Sequence, residues 1–158
     1  MKYKINMMSR AESVKGQGVA SAYEEQVALV KEGMGDRFDV TVNKFSKADI
    51  THYHTVNFPF FLSIPFAKSC GITVGYVHFL PETMEQSLKL PKPAKKIFYS
   101  YLLKFYDSMD RLVTVNPYFI ERLAAYGVNP KKVCYIPNFV NEKEFYPVPP
   151  QRKQELRQ

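Results

Sequence analysis

The chain has 158 residues, 46% of them apolar, and a formal net charge of +7. Its length suits one domain that buries roughly two thirds of its unfolded surface, and its apolar content makes it globular. The longest apolar run, Phe58 to Ala67, is broken by Pro59 and Pro65. It falls short of the ~20 residues a membrane-spanning helix requires. Lys2 and Lys4 precede only a short apolar stretch before Arg10, which is not a signal-peptide core. The domain is therefore expected in the cytosol, with Cys70 and Cys134 as thiols.

In chain order, Lys4 to Met8 reads as a strand, and Val19, Ala22, Tyr23, Gln26, Val27 and Val30 follow at helical spacing until Gly33 and Gly35. Phe38 to Val42 is a second strand and Asp49 to His54 a third. A helix from Pro59 through Lys68 is expected to be bent or shortened by Pro65 and to end at Gly71. Ile72 to His78 reads as a buried strand, and Pro81 to Pro91 as a turn-rich stretch. Pro93 fits the first position of a helix whose Ala94, Ile97, Phe98, Tyr101, Leu102 and Phe105 form an apolar stripe. Arg111 to Val115 is a strand, Pro117 to Tyr126 a helix closed by Gly127, and Lys132 to Ile136 the last strand. This alternation signals an α/β fold, a Rossmann-like parallel sheet with helices on both faces, whose ligands bind at the carboxyl ends of strands. Pro147, Pro149 and Pro150 break regular structure, so residues 1–146 read as the domain and 147–158 as a polar exit linker toward a further domain.

Several residues could carry chemistry. Lys15-Gly16-Gln17-Gly18 lies between the first strand and helix, where glycines let backbone N–H groups approach a phosphate. Ser21 at the third glycine position makes it a poor dinucleotide fingerprint, and a plain turn before a helix reads equally well. His52, His54 and His78 fall near strand ends, with His52 and His54 on one face. No Cys, Asp or His partner has the spacing to complete a metal site. His78 is followed by Glu82, and a histidine beside a carboxylate can orient a hydroxyl or share a proton; a solvated polar loop is the plainer reading. Asn116 suits a helix cap as well as a ligand contact, and Cys134 in an apolar strand reads as small and buried.

Between Ser87 and Tyr106 lie Lys89, Lys92, Lys95, Lys96 and Lys104, interleaved with Phe98, Tyr99, Tyr101 and Phe105 and without a carboxylate. Such a segment can serve nucleic acid by neutralisation and stacking, or a membrane surface by partitioning aromatics under lysines. Tyr99 and Leu103 on the lysine side favour the membrane. A basic nucleic-acid module and an autonomous nucleotide-binding α/β domain are the competing readings.

Taken in order, Lys15-Gly16-Gln17-Gly18, Asp49-Ile50-Thr51-His52-Tyr53-His54, Thr73-Val74-Gly75-Tyr76-Val77-His78, Thr114-Val115-Asn116-Pro117 and Ile136-Pro137-Asn138-Phe139-Val140-Asn141 resemble the amino-terminal half of family 4 glycosyltransferases nearly end to end. The stretches Met7 to Ser21 and Val77 to Glu82 look closer still to bacterial enzymes that glycosylate glucosyl-diacylglycerol. The resemblance implies one half of a two-domain GT-B fold that retains anomeric configuration, needs no metal or other cofactor, and uses a UDP-hexose as donor and a glycolipid as acceptor. It implies that Gly16, Gln17 and Gly18 lie near the donor diphosphate, His78 near the transferred sugar, Glu82 on the acceptor side, and His54 and Asn116 in the cleft. Phe139 stands where the family often has glycine and Asn141 where it often has aspartate. The donor-holding carboxylates would lie beyond Gln158, so the isolated domain is expected to be inactive without its carboxyl-terminal partner domain. The full protein is expected as a peripheral enzyme on the inner face of the plasma membrane, resting on anionic lipid through Lys89, Lys92, Lys95, Lys96, Tyr99 and Lys104, with no nucleic-acid partner.

Overall fold

A computed structural model of the chain describes residues 1–11, 18–85, 87–138 and 147–149, with Arg152 and Glu155. Its strands are β1 (Tyr3–Met8), β2 (Phe38–Val42), β3 (Ile50–Tyr53), β4 (Ile72–Val77), β5 (Arg111–Thr114) and β6 (Val133–Tyr135). Its helices are α1 (Gly18–Gly33), α2 (Phe58–Cys70), α3 (Pro81–Met84), α4 (Lys92–Asp107) and α5 (Tyr118–Ala125), and a single 3₁₀ turn, Pro130–Lys132, precedes β6. All six strands run parallel in the order β2-β1-β3-β4-β5-β6. The chain first steps to one side of β1 and then crosses it to β3, so the order reverses at β1 and β3. A crevice opens outside the carboxyl ends of strands at such a switch point.

Alternation along the strands divides the work. Met8, Tyr53, Val77, Leu112 and Val133 face α2, α4 and α5 and form one buried core with Phe60, Ile64, Leu102, Phe105, Tyr106, Phe119 and Leu123. Each such large side chain contributes roughly 1.5–3 kcal/mol when removed from water. Tyr106 is fully buried and donates its hydroxyl to the Phe79 carbonyl at 3.1 Å. Burial raises its pKa well above the usual phenol range. The opposite face of the sheet receives α1, whose Tyr23 donates to the Met7 carbonyl at 2.9 Å.

Four expectations need correction. Pro65 does not shorten α2, which continues through it over 13 residues, with Pro65 on the exposed side, away from the core contacts of Ile64 and Ala67 that hold the helix to the sheet. In α4, Ile97 does not join the core but is 71% exposed, while Tyr106, outside the expected stripe, is buried. The stretch after Pro81 is not all turn, since Thr83 Oγ1 accepts the Leu80 N–H at 2.9 Å and starts α3. Cys134 is exposed, because β6 is a three-residue edge strand. Near the chain's end, Arg152 and Glu155 are helical and ion-paired at 2.7 Å.

Two glycines hold β4 in place through close approach. A Cβ on Gly75 would meet Met109 Cγ at 2.8 Å and Leu112 Cδ2 at 2.9 Å. A Cβ on Gly71 would meet the Asp49 carbonyl oxygen at 2.2 Å, and that carbonyl accepts the Ile72 N–H at 2.9 Å. A side-chain tip can rotate away, but a backbone oxygen inside a sheet hydrogen bond cannot. Gly71→Ala is therefore expected to destabilise the protein by about 2 kcal/mol or more, and Gly75→Ala by less; urea melts of both variants check the order.

Candidate functional site

The crevice is built by the segments that leave β1 and β3. After β1, the Ser9 N–H donates to Asn43 Oδ1 at 2.8 Å and the Arg10 N–H to Thr55 Oγ1 at 2.9 Å. After β3, the His54 N–H donates to the Met8 carbonyl at 2.8 Å, and Thr55 Oγ1 donates to Asn57 Oδ1 at 2.6 Å. Asn43 reaches its bracing position with φ of 51°, a left-handed backbone that asparagine adopts more readily than most residues. Beneath it, buried Asn6 bonds through both ends of its amide to the backbone of Lys44. The rim of the crevice is thus fixed by short polar side chains.

On the α1 side, the strand ends carry a packed group of rings. His54 lies one step beyond Tyr53, opposite Tyr76 on β4, in a parallel register set by Tyr53 against Gly75. The His54 and Tyr76 rings stack with centroids 4.9 Å apart and planes 20° apart, and Tyr76 stacks on His78 at 4.5 Å and 20°. His52 lies 4.4 Å from His54, and Tyr23 of α1 meets His54 edge-on at 4.9 Å. His54, Tyr76 and His78 line a cavity of about 400 Å³, whose opposite wall is Ser21, Ala22, Glu25 and Gln26 of α1 and whose end is Ile136 to Asn138.

This burial keeps the imidazoles neutral. Desolvation lowers His52 from 6.5 to about 4, with His78 adding repulsion. It lowers His54 to about 2, with help from His52 and His78, and His78 to about 4. Among the described residues, His52 Nε2, both ring nitrogens of His54 and His78 Nε2 are buried without a hydrogen-bond partner. An unmet buried polar atom costs about 1–3 kcal/mol. A neutral imidazole offers one donor and one acceptor, but these four nitrogens are themselves enclosed, so the rings meet the cavity mainly through their faces and edges. No group of three or more His, Cys, Asp or Glu among the described residues is arranged to hold a metal ion.

The other candidates divide between places. Gly18 opens α1, the helix that walls the cavity, while Gly16 and Gln17 lie outside the described residues, as do Phe139 and Asn141. The expected partnership of His78 with Glu82 does not form. Glu82 accepts Arg122 Nε and the Tyr126 hydroxyl, each at 2.7 Å, which ties α3 to α5 and faces a different cavity. Burial pushes its carboxyl upward, but those two bonds prevail and hold it below the usual carboxylate range. Asn116 is exposed, and its Oδ1 accepts the Tyr118 N–H at 3.0 Å, a cap for α5. Lys95 binds Glu85 at 3.0 Å and Tyr99 donates to the same carboxylate at 2.7 Å, so two members of the lysine-aromatic segment are engaged within the protein. Sequence reasoning missed Tyr76, Tyr23 and the cavity-facing residues of α1. Tyr76 was within reach, because two residues before His78 on one strand means a shared face.

A profile of Glycosyltransferase Family 4 matches residues 37–144. The alpha-galactosylglucosyldiacylglycerol synthase of Streptococcus pneumoniae is 48% identical over 156 residues, which are 99% of this chain and 42% of the relative. The chain thus spans less than half the length of that curated relative. Anabaena HepE has a similar fold in its crystal structure with UDP-glucose, at a TM-score of 0.65 and 11% identity, and in that with UDP and glucose, at 0.63 and 12%. Each likeness covers 98% of this chain and 49% of the other. The parallel sheet is the Rossmann-like half of a GT-B glycosyltransferase fold.

The histidine group predicts a pH dependence. Because the folded-state pKa values lie below 6.5, the unfolded chain takes up protons first as pH falls. The stability is complete above pH 6.5 and is lost toward about pH 4, by up to about 1.4 kcal/mol per pH unit for each histidine. His54→Phe is expected to flatten the slope between pH 6.5 and 5 by one histidine's share, read from denaturant melts at each pH.

Proposed function

From the membership of this chain in glycosyltransferase family 4, we propose that it is the acceptor-side domain, residues 1–146, of a retaining enzyme that moves a hexose from a UDP-sugar to a glycolipid of the glucosyl-diacylglycerol type. The observation that carries this reading is the cavity between α1 and the His54, Tyr76 and His78 stack, at the carboxyl ends of β3 and β4. The synthase relative supports the glycolipid acceptor by its name, and the HepE complexes support the uridine nucleotide donor.

In this reading the amino end of α1, opening at Gly18, meets the donor diphosphate through its backbone N–H groups and positive dipole. His78, whose ring lines the cavity, lies beside the transferred hexose. His54 and Tyr76 fix the plane of His78 by stacking. The remaining donor contacts come from a second domain across the crevice, with residues 147–158 leading toward it. The enzyme works at the inner face of the plasma membrane, where unpaired lysines of the α4 region meet anionic headgroups, each contributing about 1 kcal/mol near the surface.

Sugar transfer by the full-length protein from UDP-glucose and UDP-galactose to glucosyl-diacylglycerol tests the reading. Transfer from one of them with retention is expected, and none from either rejects it. His78→Ala is expected to lower kcat/KM at least about a hundredfold, the scale of a lost transition-state hydrogen bond. Normal turnover in that variant removes His78 from the reaction.

A further inference from the structure

The helix α2 has no polar side. Its sequence, Phe58-Pro59-Phe60-Phe61-Leu62-Ser63-Ile64-Pro65-Phe66-Ala67-Lys68-Ser69-Cys70, contains no carboxylate. A helix apolar all round is ordinarily buried on every side. Here only one side is: Phe60, Ile64 and Ala67 enter the core, while Phe58, Leu62 and Phe66 are 63%, 63% and 47% exposed. These three recur every fourth residue and form a ridge roughly 12 Å long. Neighbouring elements extend it. Phe58 packs against Tyr101 of α4, four residues from Ile97, and Phe66 lines a small crevice with Phe45, which is 74% exposed. Scattered exposed apolar residues need no explanation, but a continuous ridge across three elements does.

The charges beside it choose the occupant. Phe45 stands between exposed Lys44 and Lys47, and Ile97 follows exposed Lys96, with exposed Lys104 two turns further on the same side of α4. None of these four lysines forms an ion pair among the described residues. Of the acidic groups that border the region, Asp110 is paired with Lys68 at 3.0 Å and Asp107 with Lys132 at 2.9 Å, while Asp49, near Lys47 and Phe66, accepts the Lys4 backbone N–H at 2.7 Å. An apolar ridge rimmed on both sides by uncompensated cations is the arrangement of a surface that lies in a bilayer interface, with aromatics at the acyl boundary and lysines at headgroup level.

We propose that the outer ridge of α2, with Phe45 and Ile97 beside it, inserts into the interfacial layer of an anionic lipid bilayer. The inference rests on the membrane reading above and deepens it, because lysine attraction alone would leave the protein on the surface, whereas the ridge enters it.

The test uses the full-length protein and vesicles of phosphatidylcholine with or without phosphatidylglycerol. The wild type is expected to sediment with the anionic vesicles, and Phe58→Ser with Leu62→Ser to weaken that partitioning at least about tenfold, since two large apolar contacts are lost. Both residues are mostly exposed, so a melting temperature lowered by only a few degrees, through the lost Phe58 contact with Tyr101, and unchanged sugar transfer in detergent micelles are expected of the double variant. The chain contains no tryptophan. Leu62→Trp therefore adds an indole to a domain that has none, and its emission, read as the difference from the wild type, should shift to the blue on binding and be quenched by brominated acyl chains. Equal sedimentation of wild type and double variant, or an indole signal unmoved in the Leu62→Trp variant while the protein is bound, overturns the ridge but leaves lysine-driven docking intact. A wild type that sediments with neither vesicle overturns the membrane reading together with the ridge. A doubled mass in light scattering that the double variant abolishes assigns the ridge to a second copy of the chain and overturns the lipid.

Discussion

The parallel register of β3 against β4 is the constraint on which both core and site depend. It sets Tyr53 opposite Gly75 and, one step on, His54 opposite Tyr76. Because side chains alternate, the first pair belongs to the core and the second to the cavity. Tyr53 packs on Phe60 and Phe105 with ring centroids 5.9 Å away in each case, and Gly75 leaves the space that Met109 and Leu112 occupy. A slip of one residue would drive His54 into that apolar layer and Tyr53 out of it. Both Tyr53 and His54 are almost wholly buried, so neither exchange is tolerable, and the core enforces the geometry of the site.

Electrostatics is distributed between the two faces of the sheet in a complementary way. Under α1 lie histidines that burial keeps neutral, with Glu24, Glu25, Lys31 and Glu32 on the helix itself, whereas α4 on the opposite face carries Lys92, Lys95, Lys96 and Lys104. Some of those lysines are structural. Lys95 is only 16% exposed and is held by Glu85, and Lys132 by Asp107. Arg122 similarly binds Glu82 and joins α3 to α5. Net charge therefore overstates what is available to a partner, and the uncompensated lysines lie beside exposed apolar side chains.

The regular features were legible from the sequence because they follow short-range rules. Six strands and the longer helices follow from alternation of apolar runs with glycine and proline, and the shared face of His52 and His54 follows from strand periodicity. What failed depended on distance along the chain or on the width of packing surfaces. Glu82 meets Arg122 and Tyr126, which are 40 and 44 residues away, so its nearness to His78 in sequence was misleading. The stripe of α4 showed which side is apolar but not that Ile97, near the start of the helix, stays exposed. The exposed ridge of α2 was hidden because a helix apolar on all sides has no periodic signal to read. Cys134 was misplaced because an apolar strand reads alike at the centre of a sheet and at its edge.

The neutral histidines also constrain how the proposed reaction divides its labour. An imidazole whose pKa burial has lowered to about 4 cannot balance a diphosphate near neutral pH, and a nearby anion would have to raise that value by more than two units to change this. In the proposed reaction these rings would therefore meet only uncharged groups, and the diphosphate would need positive partners elsewhere, of which the amino end of α1 is one that this domain can offer.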